Sequence, residues 1–370
     1  MSATVSGTST GTAAVRPRKY LVTGGAGYVG SVVAAHLLEA GHTVTVLDDL
    51  STGFRAGVPA GAEFVEGRIQ ESARWLDPSY DGVLHFAACS QVGESVADPE
   101  KYWRNNVAGT MDLLAAMRGA GVRRLVFSST AATYGEPAGE LLSETDPTAP
   151  TSPYGATKLA VDHMITGECR AHGLAAASLR YFNVAGAHLT GPPGEPAGAP
   201  GGGAAYGERH DPESHLIPLV LQVALGTREA ISVYGDDYPT PDGTCVRDYI
   251  HVADLADAHL LALDAAVGGE HLVCNLGNGN GFSVREVIET VRKVTGHPVP
   301  EVVAARRGGD PAVLVASAER ARNVLGWAPR RADLTGIVED AWTFARREHA
   351  ARGKQTGGQP AGGEQGGAAR

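Results

Sequence analysis

A short apolar run that ends in a glycine-rich loop constrains the fold of this chain more than any other feature. Residues 20–23 (YLVT) are followed by GGAGYVG at residues 24–30. A helical pattern then continues to Gly41, a suitable left-handed terminating residue, and residues 43–47 (TVTVL) form a second apolar run that closes on Asp48. Strand, glycine loop, helix, strand and acid make one βαβ unit, whose crossover we expect to be right-handed.

The glycine loop and the acid of this unit together predict a dinucleotide site. Glycines let the backbone approach a pyrophosphate closely, and a helix N-terminus offers unpaired N–H donors with a favourable dipole. An acid at the tip of the second strand accepts hydrogen bonds from the adenosine ribose and repels a 2′-phosphate, so Asp48 favours NAD over NADP. The spacing is G-x-x-G-x-x-G rather than G-x-G-x-x-G, which indicates a subgroup of such folds. A tight turn that binds nothing is the alternative interpretation.

Two further apolar runs extend the predicted sheet. Residues 82–87 (GVLHFA) and 124–128 (RLVFS) are expected to be buried parallel strands, separated by a helical segment from Glu100 to Arg118. We interpret His85, within the first run, as a core histidine rather than a catalytic one. The fold class is therefore α/β, a Rossmann-type doubly wound parallel sheet, and 370 residues leave room for a smaller mixed α/β substrate domain.

A candidate catalytic group follows the second of these runs. Ser152 as N-cap and Pro153 at the first helical position predict a helix start, so Tyr154 and Lys158 share one helix face. A nearby ammonium lowers the pKa of a phenol, which makes tyrosine useful as a general acid and base. Thr130 closes a strand run, at the edge where doubly wound sheets bind ligands. For the Y-x-x-x-K pattern alone, a solvated helix face is the alternative interpretation.

Composition argues against several other classes of function. The formal net charge of −10 disfavours nucleic acid and anionic membranes as partners, and no apolar run is long enough for a membrane span. The four cysteines show no C-x-x-C pairing and the 13 histidines no H-x-x-x-H. We therefore expect no metal site and a reducing, cytoplasmic location, with His210 and His215 as pocket or loop residues.

The distribution of small and polar residues predicts the domain organisation. Residues 1–17 and 347–370 lack the apolar content needed to offset ordering entropy, and we interpret them as disordered tails. Residues 18–183 are assigned to the NAD-binding domain and residues 184–346 to the substrate domain, with some crossing of the chain between them. A Gly/Pro-rich stretch at 191–207 is interpreted as a mobile surface insertion.

Long motifs give the chain a resemblance to the extended short-chain dehydrogenase/reductase family, in particular to its UDP-glucose 4-epimerases. The resemblance implies tightly bound NAD, regenerated in each turnover, and interconversion of UDP-glucose and UDP-galactose by transient oxidation at sugar C4. It also implies a homodimer. The motifs that carry it are LVTGGAGYVG (21–30), NNVAGT (105–110), FSSTAATYGE (127–136), SPYGATK (152–158), LRYFNVAGA (179–187), VYGDDYPTPDGTCVRDYIHVADLADAH (233–259) and RRGGDPA (306–312).

The resemblance also implies roles for individual residues. Tyr154, ionised with help from Lys158, would take the proton of the sugar 4-hydroxyl, while Thr130 orients the 4-oxygen. The implied cofactor contacts are Gly24, Gly27, Tyr28, Val29, Gly30, Asp48, Phe86, Ala87, Asn105, Lys158 and Phe182. The implied substrate contacts are Thr130, Tyr154, Asn183, His215, Leu216, Arg247, Arg307 and Asp310.

Two single residues and one pair of residues bear on which cofactor and which related reaction the chain supports. Arg68 stands where the family usually has an aspartate that contacts the adenine amine; an arginine cannot accept that bond and would stack on the adenine or accommodate a 2′-phosphate. Leu314 falls where the family sets pocket size, and it decides nothing, so UDP-N-acetylhexosamine and UDP-pentose 4-epimerases stay open. Ala131 and Ala132 stand where a 4,6-dehydratase needs two acids. A non-catalytic NAD-binding sensor is the remaining, more distant alternative.

Overall fold

The computed structural model describes residues 16–136, 141–190, 204–308 and 310–356. The tails and insertion predicted for residues 1–15, 191–203 and 357–370 lie outside these ranges. The helices are α1 (Tyr28–Glu39), α2 (Val92–Ala97), α3 (Pro99–Tyr102), α4 (Gly109–Ala120), α5 (Pro153–His172), α6 (Leu216–Ala224), α7 (Val252–Ala265), α8 (Val284–Thr295) and α9 (Leu334–Thr356).

The strands are β1 (Lys19–Thr23), β2 (Thr43–Asp48), β3 (Glu63–Glu66), β4 (Gly82–His85), β5 (Arg124–Thr130), β6 (Leu141–Leu142), β7 (Ala175–Tyr181), β8 (Asn183–Ala185), β9 (Ala187–Leu189), β10 (Ala205–Gly207), β11 (Ile231–Tyr234), β12 (Val246–His251), β13 (His271–Leu276), β14 (Gly281–Ser283), β15 (Glu301–Ala304) and β16 (Val313–Ala316). Shorter helical turns cover Arg55–Gly57, Ile69–Arg74 and Ala131–Thr133, with π-helical turns at Trp103–Ala108 and Ala321–Leu325.

The larger sheet carries the predicted βαβ unit. Its seven strands run parallel in the order β13-β7-β5-β4-β1-β2-β3. Helices α1 and α7 contribute side chains to the core on one face, and α4 and α5 to the core on the other. Strands covered on both faces need apolar runs, as β1, β4 and β5 have. The expected doubly wound α/β fold is confirmed.

Local signals place α5, the helix that carries the candidate catalytic residues. The Ser152 hydroxyl accepts a hydrogen bond from the backbone N–H of Gly155 at 3.2 Å, and Pro153 is the first helical residue. The helix ends at Gly173, whose φ of +70° suits a glycine. Its buried face includes Val161 and Ile165, and burial of each such side chain contributes about 1.5–3 kcal/mol.

The smaller domain is mixed, as expected. Strands β14, β12, β16 and β6 form one sheet in that order, with β8 also paired to β12, and β14 runs antiparallel to β12. Strands β11 and β15 form a separate parallel pair. Helices α6, α8 and α9 supply a third apolar core that includes Ile217, Ile288 and Ile337.

The two domains exchange chain segments more extensively than a boundary at residue 183 describes. Helix α7 and strand β13 return to the larger sheet, where β13 pairs with β7 and covers its otherwise open edge. Strand β6 crosses the other way and pairs with β16 of the smaller sheet. Residues 252–276 therefore belong to the NAD-binding domain, which corrects the assignment of residues 184–346 while agreeing with the expected crossing.

Two predicted irregular segments are partly regular. Helix α9 continues to Thr356, so the prediction of a disordered tail from residue 347 is wrong for residues 347–356. Alanine, arginine and lysine favour a helix there, and Glu348 pairs with Arg209 at 2.5 Å. Strand β10 pairs antiparallel with β9, so the mobile insertion is wrong for residues 205–207. Tyr206 is buried there and stacks on His188. No helix within the described ranges has the length and apolarity to cross a bilayer.

Candidate active site

The glycine loop after β1 forms a cradle for a diphosphate. Gly24 has φ +72°, and a Cβ there would lie 2.5 Å from the backbone nitrogen of Ala87, so only glycine lets these two strand ends meet. Helix α1 starts directly after Gly27, and neither a capping side chain nor an acid in its first turn occupies its N-terminal N–H groups. These donors and the helix dipole fit the phosphates of a dinucleotide. Tyr28 and Val29 begin the helix.

Asp48 lies at the end of β2, where a nucleotide ribose is expected. Its carboxylate accepts hydrogen bonds from the backbone N–H groups of Ala26 and Leu50, each at 2.9 Å, which ties it to the glycine loop. Burial raises the pKa of Asp48. Each carboxylate oxygen has a second lone pair available for a ribose hydroxyl. Arg68 follows β3 beside it, exposed, with Nε 3.9 Å from the carboxylate of Asp49, which partly neutralises its charge.

Residues after β4 complete the cofactor side of the cleft. The Phe86 backbone N–H donates to the Thr23 carbonyl at 2.9 Å, and its ring packs on His259. Asn105 lies on the π-helical turn that precedes α4 and donates to the Asn106 side chain at 3.1 Å. Phe86 and Ala87 thus lie at the carboxyl end of β4, and the cofactor contacts of these residues and of Asn105 stay predictions.

Asn106 is a positioning residue that the sequence analysis did not identify. Its side chain accepts from the Cys89 N–H at 2.8 Å and donates to the Cys89 carbonyl at 3.0 Å and to the Thr157 hydroxyl at 3.1 Å. It therefore fastens the loop after β4 to helix α5. The paired asparagines of the NNVAGT segment were the available signal, but the π-helical turn that selects Asn106 leaves no periodic pattern.

Lys158 is buried and held in place below the candidate catalytic tyrosine. Its ammonium donates to the Ser128 carbonyl at 2.7 Å and lies 4.7 Å from the Phe127 ring centroid, and burial lowers its pKa to about 8. The ammonium is 6.0 Å from the Tyr154 ring centroid. Burial raises the pKa of Tyr154, and a hydrogen bond with the Thr130 side chain lowers it. The Thr130 side chain thus favours the phenolate, and the expected effect of the Lys158 ammonium on the phenol stays a prediction.

Thr130 is held rigidly at the last position of β5. Its hydroxyl accepts from the Ala132 N–H at 3.2 Å, and its carbonyl accepts from the Thr133 hydroxyl at 2.9 Å. The Tyr154 ring also packs edge-on against Tyr102, with centroids 6.4 Å apart. The phenol, the threonine hydroxyl and the lysine therefore meet at the carboxyl edge of the larger sheet. His85, below them, is a buried core histidine, in agreement with its interpretation.

Phe182, an implied cofactor contact, and Leu314, at the size-setting position, lie at the same edge. Both pack against the cluster of Ala131, Tyr134 and Leu142, whose first residue directly follows Thr130 in the chain. Strand β16 thus places the side chain at the size-setting position beside the catalytic turn.

Arg247 and Asp310 face one another in this domain. The Arg247 guanidinium lies 3.4 Å from the Asp310 carboxylate and donates to the carbonyls of Pro311 at 2.8 Å and Val246 at 2.9 Å. Asn183, on β8, donates to the Asp248 carbonyl at 3.2 Å. The geometry presents one preorganised, half-buried cation for an anionic ligand.

The remaining implied substrate residues are placed differently. The Arg307 guanidinium is exposed and stacks on the Tyr234 ring at 3.8 Å, so the structure does not bring it to the Arg247–Asp310 pair. His215 precedes α6 and is half exposed, and its Nδ1 lies 2.7 Å from the Glu208 carboxylate. Leu216, the first residue of α6, packs against the core of the smaller domain.

The fold and the site together define a class of protein. A dinucleotide cradle on a parallel sheet, with a buried lysine, a tyrosine and a threonine at its carboxyl edge, is typical of a nicotinamide-dependent enzyme that oxidises an alcohol carbon. The tyrosine exchanges the hydroxyl proton in such an enzyme.

Comparisons with known proteins make this assignment specific. The model of the NAD dependent epimerase/dehydratase family matches residues 20–200 and 203–277, and the chain belongs to that family. It is 70% identical over 333 residues to UDP-glucose 4-epimerase of Streptomyces lividans, covering 88% of this chain and 95% of the relative.

Two solved structures of UDP-glucose 4-epimerases are similar over nearly their full length. The Brucella ovis enzyme in complex with NAD is 42% identical with a TM-score of 0.81, covering 89% of this chain and 98% of that one. The Bifidobacterium longum enzyme in complex with NAD⁺ and UDP is 34% identical with a TM-score of 0.80, covering 90% and 99%.

Proposed function

We propose that this protein interconverts UDP-glucose and UDP-galactose by transient oxidation at sugar C4, with tightly bound NAD and with Tyr154 as the proton acceptor and donor. The observation that carries the proposal is the convergence of Tyr154, Thr130 and the buried Lys158 at the sheet edge beside the glycine loop. The UDP-glucose 4-epimerase of Streptomyces lividans, at 70% identity, supports the reaction and the substrate.

The chain's own groups bind the cofactor along the edge of the sheet. The glycine loop and the free N–H groups of α1 would hold the diphosphate, Asp48 the adenosine ribose and Lys158 the nicotinamide ribose. NAD, when bound, supplies the hydride acceptor and donor for sugar C4. Asn106 fastens the loop after β4 to α5.

Proton transfer is assigned to Tyr154 with Thr130 as its partner. The phenolate removes the proton of the 4-hydroxyl as C4 is oxidised, and the phenol returns it after the sugar presents its other face. The Thr130 hydroxyl holds the phenol oxygen and the 4-oxygen in line. Ala131 and Ala132 lie next to this site and carry no acid, so the dehydration that needs protons at C5 and C6 has no group to perform it.

The smaller domain is proposed to hold the UDP moiety. A guanidinium matches diphosphate oxygens bidentately and stays charged, and Arg247 is already fixed by two carbonyls. A bound diphosphate would replace the Asp310 carboxylate as its anion. Asn183 and the backbone around His215 and Leu216 are proposed to line the same cleft.

We also propose that the protein is a homodimer. Large apolar side chains are exposed on and around the helices beside α5: Val92 and Val96 on α2, Trp103 on the π-helical turn and Met111 on α4. The spacing of four residues puts Val92 and Val96 on one face of α2. Such a surface is typical of a protein–protein interface.

We propose a reducing, cytoplasmic location as well. All four cysteines are unpaired, which supports this proposal.

A parallel substrate assay tests the proposed function. The purified protein, without added nucleotide, is given UDP-galactose or UDP-N-acetylgalactosamine, and kcat/KM is measured for each. We expect rapid turnover of UDP-galactose and one NAD per chain in the native mass spectrum. A clear preference for the N-acetylated sugar would transfer the protein to the alternative substrate class, and dependence on added NADP would contradict the role of Asp48.

A further inference from the structure

Four side chains of types that bind metal ions lie close together on the segment between β10 and α6. They are separate from the proposed catalytic residues Thr130, Tyr154 and Lys158. The four are Glu208, His210, Glu213 and His215, hereafter the Glu–His cluster. One ligand atom from each lies within 4.8 Å of the corresponding atoms of the other three. The E-x-H-x-x-E-x-H spacing is irregular and does not match the helical H-x-x-x-H pattern of a metal site. The expectation that the chain has no metal site rested on the absence of that pattern and of paired cysteines.

The distances within the Glu–His cluster suit a shared cation. His210 Nδ1 lies 3.5 Å from an oxygen of Glu208 and 3.5 Å from an oxygen of Glu213, and His215 Nδ1 lies 3.5 Å from Glu213. Zinc bonds of about 2.1 Å in a tetrahedron separate neighbouring ligand atoms by about 3.4 Å. Three of the four N···O distances are thus close to a tetrahedral edge. The two that involve Glu213 use different oxygens, Oε2 towards His210 and Oε1 towards His215, so one of them would change on binding. The fourth, between His215 Nδ1 and Glu208, is 2.7 Å and would lengthen on binding.

His210 gives an independent indication of a missing partner. Its Nδ1 is buried and makes no hydrogen bond, although two carboxylate oxygens face it. A buried ring nitrogen without a partner is costly, and it is most simply satisfied by an ion at the centre of the cluster.

The charge of the Glu–His cluster also indicates a bound cation. The carboxylates of Glu208 and Glu213 are only 8% and 7% exposed, and two buried carboxylates that face each other need a compensating positive charge. Protonated imidazoles or a divalent ion can supply it. Protonation alone gives His215 a hydrogen bond to Glu208 but leaves His210 at 3.5 Å from both acids.

We infer that the Glu–His cluster binds one first-row divalent transition metal ion, with Zn²⁺ the ion whose four-coordinate preference fits best. Two imidazole nitrogens and two carboxylate oxygens are donors that such ions accept, whereas Mg²⁺ and Ca²⁺ prefer oxygen alone. Four protein ligands close the coordination sphere, so the site is structural rather than catalytic.

The position of the segment indicates what such a site would stabilise. Arg209, inside the cluster segment, stacks on Phe54 of the NAD-binding domain at 3.8 Å and pairs with Glu348 of α9 at 2.5 Å. Gln91, after β4, donates to the Pro212 carbonyl at 3.5 Å. A metal would therefore fix a segment that contacts both domains and leads into Leu216 at the start of α6.

A second group, His36, Glu39 and His188, provides a matched control. Its ligand atoms also lie within 4.8 Å of one another, but it offers three ligands, and Glu39 is half exposed. His188 Nε2 is hydrogen-bonded to Glu39 at 2.8 Å, and His36 Nδ1 lies 3.3 Å from Asp257. His36 Nε2 is buried without a hydrogen bond, but the group has only three ligands and the other two named nitrogens already face carboxylates, so we expect it to bind the ion weakly.

The metal content of untagged, full-length protein tests the inference. After dialysis against metal-free buffer, elemental analysis should find about one transition metal ion per chain, or the chelator-treated protein should take up one equivalent of added Zn²⁺. Bound Zn²⁺ should raise Tm by a few degrees, since a ligand that binds only the folded state stabilises it. Chelator-treated wild type titrated with Co²⁺ should develop the visible absorption of a four-coordinate site, a readout that needs no variant.

Variants locate the ion. His210→Gln should lose the stoichiometric metal and the Zn²⁺-dependent rise in Tm, and His188→Gln should keep both. Retention of metal by His210→Gln together with its loss in His188→Gln would overturn the assignment. So would wild-type protein that holds no metal and shows neither a Zn²⁺-dependent Tm nor a Co²⁺ spectrum, because the cluster would then be an ion-pair network of protonated histidines.

Discussion

Removal of the Thr130 hydroxyl, whose side chain lowers the pKa of Tyr154, is the most informative single perturbation of this enzyme. Thr130→Val keeps the branched shape of the side chain and its packing at the end of β5 but removes the hydroxyl. Burial already raises the pKa of Tyr154, and the Thr130 hydroxyl is the side chain that lowers it. Removing the hydroxyl therefore disfavours the phenolate that accepts the sugar proton.

The expected loss can be sized from the kind of bond that is lost. A hydrogen bond to a charged group contributes about 1.5–3 kcal/mol. Each 1.36 kcal/mol added to the barrier slows a reaction tenfold, so kcat at pH 7 should fall by about 10- to 150-fold. Because the missing group favours the ionised form, the rising limb of the pH–rate profile should move to higher pH, and part of the lost rate should return in alkaline buffer.

The hydroxyl has a second role that must be separated from the first. It caps the turn at Ala131–Thr133 through the Ala132 N–H, and loss of such a cap costs about 1 kcal/mol of stability. Thr130→Ser keeps both bonds and should retain near wild-type kcat and stability. A Thr130→Val enzyme within threefold of wild type, or one that is slow with an unshifted pH profile, would refute the role of Thr130 in ionising the tyrosine.

Two further predictions concern stability. Asp162 and Arg180 form a buried ion pair at 2.9 Å. Asp162→Ala leaves the Arg180 charge uncompensated, so it should lower the free energy of unfolding, measured by urea denaturation, by about 3–5 kcal/mol. A loss below about 1 kcal/mol would contradict this. Burial lowers the pKa of His85 to about 3, while an unfolded histidine takes its proton near 6.5. The stability that neutral, buried His85 allows is therefore complete above pH 6.5 and is lost as the pH falls towards 3. His85→Gln should make the urea midpoint of unfolding depend less on pH between pH 7 and 4. An unchanged dependence of the midpoint on pH would contradict this.

The parts of the fold that local chemistry specifies were predictable from sequence. The β1–α1–β2 unit follows from one glycine loop, and the start of α5 follows from Ser152 and Pro153. Strands β4 and β5 were recognisable because parallel strands buried on both faces are continuously apolar. Each of these signals lies within a few residues of the feature that it predicts.

Long-range pairing was less accessible. No local pattern shows that β13 closes the edge of the larger sheet beside β7 or that β6 joins β16 in the smaller one. The regular structure of residues 205–207 and 347–356 depends on partners elsewhere, such as β9 for the strand and Arg209 for Glu348 of the helix. A compositional criterion cannot detect such partners.

Within the candidate site, residue type was more predictable than geometry. Tyr154, Lys158 and Thr130 were predictable together, but the hydrogen bond of the Lys158 ammonium to the Ser128 carbonyl was not. Arg307 matched a motif, yet its guanidinium stacks on Tyr234. Side-chain direction depends on neighbours from other elements, which a motif does not specify.

The most direct test of the account is the turnover of a Tyr154→Phe enzyme that still holds its cofactor. Native mass spectrometry should show NAD bound as in wild type, because the phenol is not needed for the glycine-loop contacts. Epimerisation of UDP-galactose should fall by about 10²- to 10⁴-fold, the usual contribution of a general acid–base group. NAD-loaded Tyr154→Phe that converts UDP-galactose at a rate within a few-fold of wild type would contradict the central claim.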